Sequence, residues 1–390
     1  MRFPVSGIAL LVGVGVPLAG LLFGPAIGIT VAALGVGAAL ALLFIPEMSV
    51  LLWIGTSLSF GTGTLLLHAL VRAVFPVLGS ISFATSFGMF CAVLGVMSAL
   101  LLWRFRFART ILPFVRADIA FLGVALVMFG SIAAVNSRNG YVPLADGNEE
   151  FHARGFVNGD TMTLFALTKA TESRGQGTGL LRENPFAGNG PLEYPTLLHR
   201  ALADIMTATG GDITRDAWWL MIPVLIGTAA VGALLVQLLI KREHVPWWAG
   251  VIFFAALAAT WESFTYPQSH TFLTGLLFLL VGLLVLRDQT GNAAERRMLR
   301  WGIGLLAIVL LFSNAVLGTA AVAIAVGSNA LQCFNRGWPL RDRVSGLIGS
   351  AILLFLFFRF LRFGHCGTQS GCIARRHCLA QQYHCRCLPL

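Results

Sequence analysis

Charge is scarce in this 390-residue sequence. Asp, Glu, Lys and Arg make up 11% of it, against about 25% in soluble globular chains. That shortage excludes an ordinary water-soluble domain, and counting domains by length does not apply. Several chemical signatures are also missing. No Walker-type phosphate loop, His-Glu-x-x-His pair or Gly-x-Ser-x-Gly elbow stands in its required context, so ATPase, zinc-protease and serine-hydrolase readings lack a motif. Cysteine is rare until the end, where five of the seven follow Phe363. There is no Cys-x-x-Cys pair, the short spacing that structural zinc sites favour.

Hydrocarbon is abundant: 57% of the residues are hydrophobic. Apolar runs fall at about 4–23, 26–45, 50–71, 77–103, 117–135, 217–240, 246–261, 270–286, 301–313, 315–333 and 344–361. About 20 apolar residues cross a bilayer as a helix, and lipid leaves helices as the expected spanning form. The runs predict an all-α polytopic membrane protein of about 11 transmembrane helices. Gly24 and Pro25 break the first two into a hairpin. Arg2 ahead of the first run resembles a signal peptide, but a second span follows without a clear cleavage site, so the run is expected to stay as a membrane helix.

The net charge of +10 raises nucleic acid as a partner, and its placement argues against one. Arginines gather in short loops: Arg104, Arg106, Arg109 and Arg116; Arg242 beside Lys241; Arg287, Arg296, Arg297 and Arg300; Arg336, Arg341 and Arg343. This is how cytoplasmic loops are marked. With a cytoplasmic N-terminus, parity puts every one of these loops on the same side. The long loop 136–216 then falls on the extracytoplasmic side, as expected for a bacterial inner or plasma membrane protein.

That loop has the opposite sign, with ten acidic and seven basic residues. Loops this long are usually functional or disordered. Its aromatics, and helical periodicity near 161–172 and 197–207, predict short surface helices. Asp160 stands where the first helix would be capped. Three carboxylate groups are on offer: Asp146, Glu149 and Glu150 with His152 in "LADGNEEFHARGF"; Asp160 in "VNGDTMTLFALT"; and Glu183 and Glu193 in "ENPFAGNGPLEYPTLLH". A carboxylate serves as general base or holds a divalent cation. The interspersed Arg154, Arg174, Arg182 and Arg200 suit phosphate. Such charges also simply solvate a surface loop. Glu262, in the outer turn "WESFTYPQSH", is a further candidate near the membrane. His68 and Arg72, near an outer helix end, are expected to snorkel.

From Gly364 the composition changes abruptly in "GHCGTQSGCIARRHCLAQQYHCRCLPL". Three readings stay open: a reading-frame shift in a GC-rich coding sequence, a disulfide or metal role, or a disordered tail.

The spans and the loop together resemble the GT-C type of membrane glycosyltransferase. "NGDT" at Asn158–Thr161 is similar to that superfamily's acidic element. "ENPFAGNGPLEYPTLLH" is similar to the passage preceding the next span. The likeness covers about residues 117–362. It departs where relatives carry a histidine just after the acidic residue, because Thr163 and Leu164 stand there, and in four additional spans ahead. The resemblance implies inverting transfer of a sugar from a polyprenyl-phosphate donor on the extracytoplasmic face. Asp160, then Glu150, then Asp146 are the implied bases. Arg154, Arg182, Glu193, Tyr194, His199 and Glu262 are the implied substrate contacts. No metal ligands are assigned, and a divalent cation is the one cofactor the chemistry invites. The implied partners are the lipid-linked donor and membrane lipid. The expected organisation is a four-helix segment (1–116), a GT-C-like core (117–363) and the anomalous tail (364–390). A transporter or flippase, a polysaccharide polymerase-like protein and a truncated inactive copy are the rival readings.

Overall fold

The computed structural model describes residues 5–107, 109–112, 159–173, 195–240, 266–334 and 339–359, with backbone alone or single positions at 123, 127, 130, 131, 134, 141–143 and 149–151. Described helices are α1 (Val5–Phe23), α2 (Pro25–Phe44), α3 (Val50–Val74), α4 (Phe83–Phe105), α5 (Gly159–Ser173), α6 (Leu197–Thr209), α7 (Ile213–Ile240), α8 (Ser269–Gln289), α9 (Ala293–Ser313), α10 (Ala315–Phe334) and α11 (340–359). Seven of them, α1 to α4, α7, α8 and α10, are long and apolar enough to cross a membrane. Of the eleven expected spans, 246–261 lies outside the described residues and 117–135 nearly so. The count of eleven is therefore not established by the described helices.

The chain also has strands that the all-α expectation omitted. Short β1 (Glu47–Ser49) and β2 (Thr110–Leu112) pair in parallel, and β3 (Tyr141–Pro143) and β4 (Glu149–Phe151) pair antiparallel.

Local sequence sets the helix boundaries. Gly24 takes φ 85° between α1 and α2, a backbone that suits glycine, and Pro25 starts α2 where its missing N–H costs nothing. Within α1 a π-helical stretch, Leu11–Gly15, leads into Pro17. A proline removes the donor of one helical bond and crowds the turn before it, and a wider turn relieves that. Ser49 caps α3 and Ser82 caps α4, each accepting a backbone N–H three residues on. The run expected from 77 begins its α-helix only at Phe83, because Pro76–Ser80 forms a 3-10 turn first.

Glycine allows close helix packing. A Cβ on Gly37 of α2 would overlap the carbonyl of Ser57 on α3. Small residues at such positions let membrane helices approach backbone to backbone. Trp53 on α3 donates from Nε1 to the Ala38 carbonyl of α2 at 3.0 Å, adding a polar tie to the same seam. Large apolar side chains face outward as well. On α4, Met89, Val93, Val96, Met97, Leu100 and Trp103 are all exposed at helical spacing. In water such a stripe would be an aggregation liability, and in a bilayer it is the lipid-facing side.

The polar groups collect at the two ends of the bundle. At one end the predicted basic loops meet. Arg109 donates to the Leu42 and Leu43 carbonyls, both at 2.7 Å, and pairs with Glu295 at 2.6 Å. Arg287 at the end of α8 bonds Asn329 and Ser328 of α10 at 2.8 and 2.5 Å. Arg296 pairs with Asp342 at 3.2 Å. α8 has 21 residues, so its opposite end is about 30 Å away. That other end carries α5 and α6.

Candidate functional site

Helix α5 forms where the periodicity of the loop predicts it. Thr161, Leu164, Phe165, Thr168 and Thr171 recur three or four residues apart and are buried, and the helix packs against α6, α7 and α8. Asp160 in its first turn is left exposed. A carboxylate there is favoured by the positive end of the helix. It lines a pocket of about 330 Å³ with Thr163, Ser269, His270, Asn314, Ala315, Val316 and Leu317.

The pocket's floor comes from helix starts. Ser269 and His270 open α8. Asn314 separates α9 from α10, and its Oδ1 accepts the N–H groups of Val316 and Leu317, each at 3.0 Å, which fixes the amide. Asp160 and His270 line the same pocket. The pocket thus combines a carboxylate, an imidazole, two hydroxyl residues and an amide. It brings one carboxylate together with one imidazole, and among the described residues no three His, Cys, Asp or Glu side chains gather as a metal ion requires.

Sequence reasoning chose Asp160 but missed His270 and Asn314. His270 closes the "WESFTYPQSH" turn that drew attention to Glu262. Asn314 is the polar break between two apolar runs. Of the other predicted residues, Glu150 lies on β4 with Val142 as its register partner. Asp146, Arg154, Arg182, Glu193, Tyr194 and Glu262 lie outside the described residues. His199 is described, and it is 0% exposed on α6 and not part of the Asp160 pocket. Burial pushes its pKa down to about 3, so its ring is neutral at pH 7.

A second polar cluster lies between α6 and the neighbouring ends of α3 and α4. Arg72, expected to snorkel, and Asp204 are 1% and 2% exposed. Arg72 Nη1 donates to Ser86 Oγ at 2.8 Å and to the Ile81 carbonyl at 3.3 Å, and its guanidinium lies 5.5 Å from the Phe83 ring centroid. Arg200 Nε donates to Asp204 Oδ2 at 3.2 Å. His68 sits against Phe83, Phe87 and Phe90, with centroids 5.2 to 5.3 Å away. Snorkelling is therefore the wrong description: His68 is buried among phenylalanines of α4, and Arg72 is buried against Asp204 of α6. Burial raises the pKa of Asp204, and the charges of Arg200 and Arg72 offset only part of that.

No protein-family model, curated protein or solved structure matches the chain. The described helices define an α-helical membrane protein of the multi-pass kind. They have polar groups at both ends and a carboxylate–imidazole pocket at one of them.

Proposed function

We propose that the chain is a GT-C-like membrane glycosyltransferase that moves a sugar from a polyprenyl-phosphate donor to an acceptor on the extracytoplasmic face. One observation carries the reading. Asp160, singled out by "NGDT", is exposed in the first turn of α5 and shares a polar pocket with His270 at the end of the bundle away from the arginine-rich loops. A donor held in the membrane brings its sugar to such an end without needing a nucleotide.

In the proposed reaction the Asp160 carboxylate takes the proton of an acceptor hydroxyl. That oxygen bonds to the anomeric carbon of the sugar as the bond from this carbon to the phosphate oxygen breaks. The electron pair leaves with the polyprenyl phosphate, and the configuration inverts. General-base help of this kind is worth about 10²–10⁴-fold. His270, in the same pocket, is a second polar contact for the substrate, and Arg154 and Arg182 supply positive charge for the departing phosphate. Glu150 and Asp146 are the alternative bases.

The reading is tested by reconstituting the purified chain in vesicles with a panel of polyprenyl-phosphate-linked sugars and following release of polyprenyl phosphate. Turnover of one donor with an inverted product supports it. A chain that turns over none of the panel, or a product that retains configuration, contradicts it.

A further inference from the structure

A second cavity, of about 560 Å³, shares no lining residue with the Asp160 pocket. It runs between α2, α3, α7 and α8 beneath α6, where Ile29, Leu66, Leu202, Met206, Leu220 and Phe272 are among its walls. Its size is within the roughly 300–1,000 Å³ that bound small molecules occupy.

α6 has two faces, and both are buried. One carries Arg200 and Asp204 against Arg72. The other, repeating every third or fourth residue from Leu198 to Thr209, forms the roof of the groove. A groove walled by apolar side chains holds water poorly and offers dispersion contacts to a hydrocarbon chain. Hydrocarbon is the medium beside it. Ala26 and Thr30 on α2 and Trp219 on α7 line the groove and are exposed, so it opens sideways toward the surrounding lipid. A tryptophan at such a mouth suits the membrane interface.

The polar end says which lipid. The groove ends at Gly211 and Asp216. Asp216 Oδ2 accepts the Asp212 N–H at 2.8 Å, and the Asp212 carboxylate lies 3.5 Å from Lys169 Nζ. That end therefore presents the Asp216 carboxylate, with the Asp212–Lys169 ion pair joined to it. A head group carrying only phosphate meets the Asp216 carboxylate in the lining. A zwitterionic head group has an ammonium for the Asp216 carboxylate and a phosphate for Lys169.

We propose that this groove seats an acyl chain of a zwitterionic phospholipid from the adjoining leaflet, with its ammonium at Asp216. The site is separate from the Asp160 pocket and does not depend on the reaction proposed there.

Native mass spectrometry of the full chain in detergent tests it, with phosphatidylethanolamine, phosphatidylglycerol and a polyprenyl phosphate added separately. Phosphatidylethanolamine is expected to be retained best. Ala201→Trp, which fills the groove, and Thr30→Trp, which closes its mouth from an exposed position, should each cut that retention severalfold. Should Ala201→Trp fail to fold, Thr30→Trp alone decides. Unchanged phosphatidylethanolamine retention in the folded variants overturns the proposal. So does stronger retention of phosphatidylglycerol or polyprenyl phosphate by the unaltered chain.

Discussion

Arg72 Nε lies 3.8 Å from Asp204 Oδ2, linking the end of a long membrane-type helix to a helix of the loop region. The side chains of both are at most 3% exposed, and Arg200 shares the same carboxylate oxygen. Removing one partner from such a buried group leaves the others uncompensated, at a cost of about 3–5 kcal/mol. Arg72→Met and Asp204→Leu should therefore each lower thermal stability in detergent, and the double variant should lose far less than the sum of the two. Thermal denaturation of the two single variants and the double variant checks this, and additive effects would show that the pair is not coupled.

The buried ring of His199 makes stability depend on pH. Its folded pKa of about 3 is below the ordinary 6.5, so the folded state binds fewer protons than the unfolded one between those values. The associated stability is complete above about pH 6.5 and declines as the pH falls toward about 3. His199→Gln should flatten that decline without abolishing it. Melting temperatures across this range, compared between the two proteins, provide the measurement.

Close approach of α2 and α3 depends on Gly37. Gly37→Leu should destabilise the bundle by about 1–3 kcal/mol or more, as overpacking does, because its side chain meets the Ser57 backbone. Gly304 on α9 is a control, since nothing lies within 4 Å of an added Cβ. Gly304→Ala should leave stability unchanged or raise it by up to about 1 kcal/mol, since alanine is the better helix former. Detergent melting curves separate the two outcomes.

Orientation in the membrane is open to direct labelling. Ser173 at the end of α5 and Arg297 at the arginine-rich end are both exposed. In intact cells a membrane-impermeant maleimide should label Ser173→Cys above background and spare Arg297→Cys until the membrane is permeabilised. The reverse pattern would invert the assignment of sides.

Much of the fold was legible because hydrophobic length and arginine placement are strong signals. The described membrane-type helices lie where apolar runs predict them, and Arg109 of one loop gathers at one end with Arg287 and Arg296 of another. α5 and α6 were visible as periodicity within the loop. What the sequence hid was which polar residues meet. Arg72 near a helix end reads as a snorkelling side chain, and contacts from α4, the turn before it and α6 bury it. His270 and Asp160 are 110 positions apart, and no local pattern joins them. The groove was equally hidden, since the apolar residues that line it look like any other membrane-helix residues.

The central claim is that Asp160 is the base of a sugar transfer. Asp160→Asn keeps the size of the side chain and removes its basicity, and Asp160 is exposed, so the fold should tolerate it. With a polyprenyl-phosphate-sugar donor that the unaltered chain turns over, the account predicts a fall in the transfer rate of about 10²–10⁴-fold with the melting temperature unchanged. Transfer by Asp160→Asn at the unaltered rate would contradict it.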